Sequence, residues 1–196
     1  MGKNKSMKKI KVIFFVIIIS ALIGCYSPPP RETQGLEYTS LSELINTSDR
    51  ILKLRKLEKE ITFNVDEMQY VSLQFIVLEK FKGSSSINDK IFITFNEETL
   101  NNLFIKDINN KNVYQSFIED EYIFFLMGRS RKNTFPKELG GSLWHKNGNP
   151  SIFRIEKEKI KIISSKESLL VLNKEFLEIL EMSEIKFSNL VKSLNE

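Results

Sequence analysis

Residues 70–83, YVSLQFIVLEKFKG, carry the clearest structural pattern in the chain. Five apolar side chains share one parity, and three polar ones share the other. The apolar set is Val71, Leu73, Phe75, Val77 and Phe81, and the polar set is Ser72, Gln74 and Lys80. Because successive side chains of a strand point to opposite faces of a sheet, this alternation predicts a strand with one buried face. Gly83 and the three serines after it predict where the strand ends.

Further strands are predicted on both sides of this one. In residues 50–61, RILKLRKLEKEI, Leu52 and Leu54 alternate with charged residues, which indicates one solvated face. Residues 90–96, KIFITFN, predict a third strand. Residues 121–127, EYIFFLM, are apolar on both parities, which is typical of the centre of a sheet. Residues 152–155 and 159–163 predict a closing hairpin.

Helices are predicted at both ends of this strand region. Ser40 and Glu43 fit a capping box, which predicts a helix from there to about Ser48. From Ser165 the apolar spacing becomes helical again, with a break near Ser183. The apolar stripes are Leu169, Leu172, Phe176, Leu177 and Leu180, followed by Phe187, Leu190, Val191 and Leu194. Residues 96–120 are interpreted as a long excursion with a short helix, and residues 128–150 as an irregular loop.

The order of these elements resembles a family of secreted bacterial domains with an OB-like barrel, related in shape to netrin and metalloproteinase-inhibitor modules. The matching segments are INTSDRIL, VLEKFKG, KIFITF, EDEYIFFL and GGSLWH…GNPSIFRIEKEKI. The resemblance implies a mainly β domain with helices (α+β), in which residues 40–163 form a five-stranded, partly closed antiparallel β-barrel. A short helix precedes the barrel, and helices in residues 164–196 pack on it. The alternative is an α+β sheet with helices on one face.

The first 24 residues have the pattern of an export signal. Residues 1–11 contain five lysines and no acidic residue, and residues 12–23 are almost wholly apolar. An apolar run of this length is typical of a secretory signal, because a membrane-spanning helix needs about 20 such residues. A permanent membrane anchor is the alternative.

Cys25, the only cysteine, follows directly on this signal. Leu22, Ile23, Gly24 and Cys25 resemble the bacterial lipobox. The resemblance implies cleavage between Gly24 and Cys25 and a diacylglyceryl group on the Cys25 thiol, whose two acyl chains would anchor the protein firmly. A buried structural cysteine is the alternative. Residues 25–39, with three consecutive prolines, are interpreted as a lipidated tether in extended polyproline conformation.

Removal of the signal changes the charge of the protein. The whole chain carries a formal charge of +4, but five of its 29 basic residues lie in residues 1–24. The mature chain would therefore have 24 basic against 25 acidic residues. A nearly neutral domain gives no global electrostatic reason to expect a nucleic-acid partner.

The sequence contains few residues that could perform chemistry. His145 is the only histidine and Cys25 is the predicted lipid site, so neither an imidazole–thiolate metal site nor a serine triad with a Gly-x-Ser-x-Gly context is indicated. A carboxylate-only calcium site stays open. The acid pairs Glu97-Glu98 and Glu119-Asp120 are interpreted as solvated surface. No catalytic residue and no cofactor other than the covalent lipid is predicted.

One cluster is predicted to form a contact surface. Trp144 and His145 lie near Arg129, Arg131 and Lys132 in a predicted loop. An aromatic ring beside cations suits a sugar, an anion or a protein partner. The alternative is that Trp144 caps one end of the barrel and that the arginines are solvated.

Together these features predict a non-enzymatic binding or interaction module, anchored by lipid to the outer, extracytoplasmic face of a bacterial membrane. Its partners would be the membrane itself and an envelope protein or cell-wall component, and nucleic acid is not expected. The first alternative is an envelope enzyme that works through a carboxylate pair. The second is a small ligand-receptor lipoprotein of an uptake system.

Overall fold

Strands form most of the described part of the chain. The computed structural model describes residues 37–65, 67–104, 120–131, 135–139, 142–163, 174–180 and 182–195. All of them belong to one compact unit, Glu32–Glu196. The predicted signal peptide with Gly24, the lipid site Cys25 and the tether up to residue 36 lie outside the described residues, as do Glu119 and Lys132.

The described residues form seven strands and four α-helices. The strands are β1 (Arg50–Val65), β2 (Met68–Lys82), β3 (Lys90–Asn96), β4 (Glu121–Arg131), β5 (Ser142–Lys146), β6 (Ile152–Glu156) and β7 (Lys159–Ile163). The helices are α1 (Leu41–Thr47), α2 (Glu97–Phe104), α3 (Lys174–Ile179) and α4 (Glu184–Asn195), and Lys137–Leu139 form one 3₁₀ turn. The prediction of a mainly β domain with helices is confirmed.

Five of the strands form a closed ring. The strand order is β1-β2-β3-β5-β4-β6-β7, and β1 also pairs with β4. The pairing of β3 with β5, through Ile93 and Trp144, is parallel, and the other pairings are antiparallel. The fully antiparallel arrangement predicted from the sequence is therefore wrong at this junction. The reason is topological, because a closed ring with an odd number of strands must contain at least one parallel pair.

The alternation predicted for residues 70–83 is present in β2. Val71, Leu73, Phe75 and Val77 are buried and pack in the ring cluster, which we define as the contiguous apolar side chains of β1 to β4 with Leu100 and Ile152. Ser72, predicted on a solvated face, is buried as well. Its hydroxyl lies 2.7 Å from the Thr94 hydroxyl, so each polar group has a partner.

Strand β4 is buried on both faces, as its sequence predicted. Tyr122, Phe124 and Leu126 point into the ring cluster, whereas Ile123 and Phe125 point to the opposite face. On that opposite face, apolar side chains of α1, α3 and α4 cover the sheet. This helix cluster contains Tyr38, Leu41, Leu44, Ile45, Ile51, Phe81, Ile123, Phe125, Phe153, Ile160, Ile162, Phe176, Ile179, Phe187 and Val191. Phe81 lies here rather than in the ring cluster, since the β1–β2 register is irregular beyond Val77.

The predicted loop at residues 128–150 is the largest error of the sequence analysis. Strand β4 continues through Arg131, and Ser142–Lys146 form β5, which pairs with both β3 and β4. The strand has only five residues and no clear alternation, so its own sequence gives a weak signal. Long-range pairing between its two neighbours specifies it instead.

The carboxy-terminal helices are present, with the predicted break between them. Strand β7 contacts this break, where the Ile160 amide donates to the Met182 carbonyl. Ser183 caps α4, because its hydroxyl accepts from the Lys186 amide at 3.4 Å. The break therefore has bonded partners both in the sheet and in the helix that follows it.

Two residues of the predicted apolar stripes lie on the exposed sides of their helices. Leu177 is 51% exposed and Leu194 is 38% exposed, so these parts of the prediction are wrong. Phe176 and Ile179 form the buried face of α3, which has only six residues. Residues 164–173, with Leu169 and Leu172, lie outside the described residues.

The predicted hairpin of β6 and β7 is confirmed, with a turn that contains no glycine. Glu156 pairs with Lys159, so Lys157 and Glu158 form a two-residue turn. Both have positive φ angles, 51° and 62°.

Within the described ranges, none of the helices has both the length and the hydrophobicity needed to cross a membrane.

Candidate functional site: a cationic rim of the strand ring

Three side chains from two strands lie on the same face at one rim of the ring. Arg50 of β1 and Lys146 of β5 are both register partners of Leu126 in β4, so they lie in one row across three adjacent strands. Trp144 precedes Lys146 by two positions and therefore shares its face of β5. It packs against the ring cluster. We call Arg50, Trp144 and Lys146 the cationic rim.

Arg50 is held in place by an aromatic face and two hydroxyl groups. Its guanidinium carbon lies 3.8 Å from the centroid of the Trp144 ring, within the range of a cation–π contact. Its Nη1 donates to the Ser85 hydroxyl at 2.6 Å and its Nη2 to the Ser84 hydroxyl at 3.3 Å. These contacts help to position the guanidinium.

Gly83 makes room for this arrangement. Its φ of +94° lies in a region that side chains rarely adopt, and a Cβ at this position would lie 2.7 Å from Arg50 Cγ. The glycine that ends β2 therefore also permits the approach of Arg50 to the serines beside it.

Lys146 is a partly buried cation with neutral partners. Its ammonium donates to Asn149 Oδ1 at 2.9 Å and, more weakly, to the Asn147 and Gly148 carbonyl oxygens at 3.4 Å. Among the described residues, no carboxylate forms an ion pair with it. Burial lowers the pKa of Lys146 to about 8, because the charged form loses hydration without gaining an anion.

Asn147 fixes the loop that supplies these acceptors. Its side chain is fully buried, and its Oδ1 accepts from the Tyr38 hydroxyl and from the Gly148 amide. Its Nδ2 donates to the Thr47 hydroxyl at 3.1 Å and to the Ser48 hydroxyl at 2.9 Å. One amide group thus joins the end of β5, the end of α1 and Tyr38 in the segment before α1.

His145 lies on the opposite face of β5 from the cationic rim, because neighbouring residues of a strand alternate. It makes a hydrogen bond with the backbone of Thr94, and its Nε2 is buried with no partner among the described residues. Burial lowers its pKa below the usual value, against a smaller opposite effect of that hydrogen bond. The geometry does not bring His145 to the same surface as Trp144.

The other predicted contact residues lie on β4. Arg129 is the register partner of Trp144, and Arg131 is the register partner of Ser142. Both residues therefore lie on paired strands and not in a loop. Lys132 lies outside the described residues.

Sequence reasoning missed Arg50, Lys146 and Asn147. Arg50 is 94 residues from Trp144 in the chain, and only the closure of the ring brings the two together. The segment Lys146 to Pro150, KNGNP, has the composition of a turn, which concealed the fully bonded Asn147.

The acidic residues at the start of β4 are engaged by cations. Glu121 binds Lys53 at 2.8 Å and Arg55 at 2.6 Å, and Asp120 binds Arg154 at 3.0 Å. Burial raises the pKa of Glu121, but hydrogen bonds from Arg55 and Lys53 outweigh this effect and hold the pKa below its usual value. Since adjacent residues near a strand point to opposite faces, these two carboxylates do not face each other.

The chain matches no model of a known protein family, and it matches no curated protein.

Within the described ranges, no three histidine, cysteine, aspartate or glutamate side chains lie close enough together to hold a metal ion.

Proposed function

We propose that this chain is a lipid-anchored, extracytoplasmic binding module without enzymatic activity, and that its ring of strands is an OB-like barrel. The export signal and the lipobox-like Leu22-Ile23-Gly24-Cys25 support the location. The prolines after Cys25 support a tether between the lipid and the folded domain.

The strand order supports the OB-like interpretation. An OB fold is a five-stranded, partly open Greek-key barrel, and β1 to β5 close a ring of that size with a short parallel β3–β5 junction. The hairpin β6–β7 extends the sheet beyond this ring. Because one fold serves many functions, the proposed activity rests on the site and not on the barrel.

The observation that carries the binding role is the positioned guanidinium of Arg50. A side chain with many rotamers loses entropy when it binds a ligand, and a side chain already held in place loses less. The Trp144 ring and the Ser84 and Ser85 hydroxyls hold Arg50 in this way before any ligand is present. Lys146 adds a second cation to the same rim.

Photo-crosslinking on intact cells tests this proposal. A photoreactive side chain at Ser86, which is exposed and directly follows Ser85, lies beside the rim and replaces neither serine that binds Arg50. Lys186, exposed on α4, provides the matched control. We expect a specific adduct from position 86 and none from position 186. The absence of an adduct at 86, or the same adducts from both positions, would contradict the binding role of the rim.

A further inference from the structure

We infer that the cationic rim binds an extended anionic polymer of sugar or polyol units, in which Arg50 and Lys146 contact its carboxylate or phosphate groups. The inference rests on the proposed binding role and adds the chemical class of the ligand. Carboxylate and phosphate share the feature that matters here, which is a compact anion with several hydrogen-bond acceptors.

The spacing of the two cations suits an extended anion. Arg50 and Lys146 flank Leu126 in the register of three adjacent strands. Neighbouring strands lie about 4.8 Å apart, so the two Cα positions are separated by about 10 Å. A polymer with one negative charge on each repeating unit is long enough to contact both Arg50 and Lys146.

The contacts of Lys146 favour an anion as the missing partner. Removing an ammonium from water is costly unless a charge or good hydrogen bonds compensate. Two of its three hydrogen bonds are long, at 3.4 Å, and all three acceptors are neutral. An anion at the rim would add the charge compensation that no carboxylate of the described residues gives to Lys146.

The position of Trp144 argues against a neutral sugar. Carbohydrates commonly bind by stacking on an aromatic face, but Trp144 packs against the ring cluster and also carries the Arg50 guanidinium at 3.8 Å. The ring therefore serves to position Arg50. What the rim presents to a ligand is positive charge.

The ammonium of Lys146 gives this inference a pH signature. Arg50 stays charged over the relevant range, and the groups that accept hydrogen bonds from the Lys146 ammonium are two backbone carbonyls and the Asn149 amide, none of which titrates there. An anion binds the charged form of Lys146, whose pKa is about 8 in the free protein. Affinity should therefore fall as pH rises through about 8, and Lys146→Arg should remove most of that fall.

Trp144 is the only tryptophan in the chain, so its fluorescence reports on the rim directly. The full chain in detergent would be titrated with a glucuronic acid oligomer, a glycerol phosphate oligomer and a neutral glucose oligomer of equal length, with calorimetry as the second readout. We expect at least one anionic oligomer to bind and the neutral one not to bind. A charge-assisted hydrogen bond contributes about 1.5 kcal/mol or more, so Arg50→Gln and Lys146→Gln should each weaken binding about tenfold.

Lys186→Gln is the matched control, because it removes one exposed positive charge far along the chain from the rim. Binding of only one anionic oligomer identifies carboxylate or phosphate as the source of the charge, and binding of both assigns recognition to charge itself. Lys146→Arg keeps the test valid if the glutamine variant does not fold.

The inference is overturned if neither anionic oligomer binds, if the neutral oligomer binds equally well, or if Lys186→Gln has the same effect as the rim variants. A specific crosslink at position 86 without anion binding would leave the binding role in place and reject only the charge of the ligand.

Discussion

At the scale of single residues, the most consequential side chain is Asn147, which looked like part of a polar turn. It is completely buried and makes four side-chain hydrogen bonds, to partners as distant in sequence as Tyr38 and Thr47. A buried polar group is stabilising only when its hydrogen bonds are complete, and here they are.

Replacement of Asn147 by alanine should therefore destabilise the protein strongly. The change removes all four bonds and leaves the buried Tyr38 hydroxyl without its acceptor, and each buried group that loses its partner costs about 1–3 kcal/mol. We expect the free energy of unfolding in urea to fall by about 3 kcal/mol. Asn46→Ala, an exposed asparagine in α1, is the control and should change stability little. Equal stability of the Asn147 variant and the wild type would contradict the role given to this side chain.

At the scale of elements, the sequence predicts the strands that have a clear local pattern of apolar residues. It misses β5, which is specified by pairing with strands distant in sequence. Strand β2 was predictable because Val71, Leu73 and Phe75 alternate with the polar residues Ser72 and Gln74. Strand β4 was predictable because both of its faces are apolar. Strand β5 was not, because Ser142–Lys146 is short and is specified by its neighbours β3 and β4. The cationic rim could not be predicted for the same reason, since Arg50 and Trp144 meet only across the closed ring.

The β6–β7 turn gives a prediction at this scale. Glu158 has a φ of 62°, where a residue with a Cβ is strained and glycine is not. A two-residue turn with both φ angles positive favours Gly at its second position. Glu158→Gly should therefore raise the free energy of unfolding in urea by up to about 1 kcal/mol. The substitution keeps the contact of this residue with α4, because that contact is made by the Glu158 backbone carbonyl, which accepts from the Glu184 amide.

Glu156→Gly is the informative comparison for this variant. Glu156 lies within β6, pairs with Lys159 and is exposed, so a glycine there gains nothing and should destabilise the strand. If both glycine variants lower the stability, the strained turn is not a feature of the protein.

At the scale of the whole molecule, the proposed lipid on Cys25 determines where the domain works. Cys25→Ser should leave an unprocessed precursor or release the protein from the membrane fraction, because serine lacks the thiol that accepts the diacylglyceryl group. Mass spectrometry and membrane fractionation check this directly, with Ser27→Ala as a control that leaves the lipobox intact. An unchanged mature mass and unchanged membrane fractionation would contradict the assignment.

In the whole molecule, β5 closes the ring and brings Trp144 against Arg50. Nuclear Overhauser effects of the indole measure this closure, and their assignment is simple because the chain contains a single tryptophan. We expect contacts from the Trp144 indole to the Arg50 side chain and to the apolar side chains of the ring cluster. If the indole shows neither set of contacts and its N–H exchanges freely with solvent, β5 does not close the ring in this way.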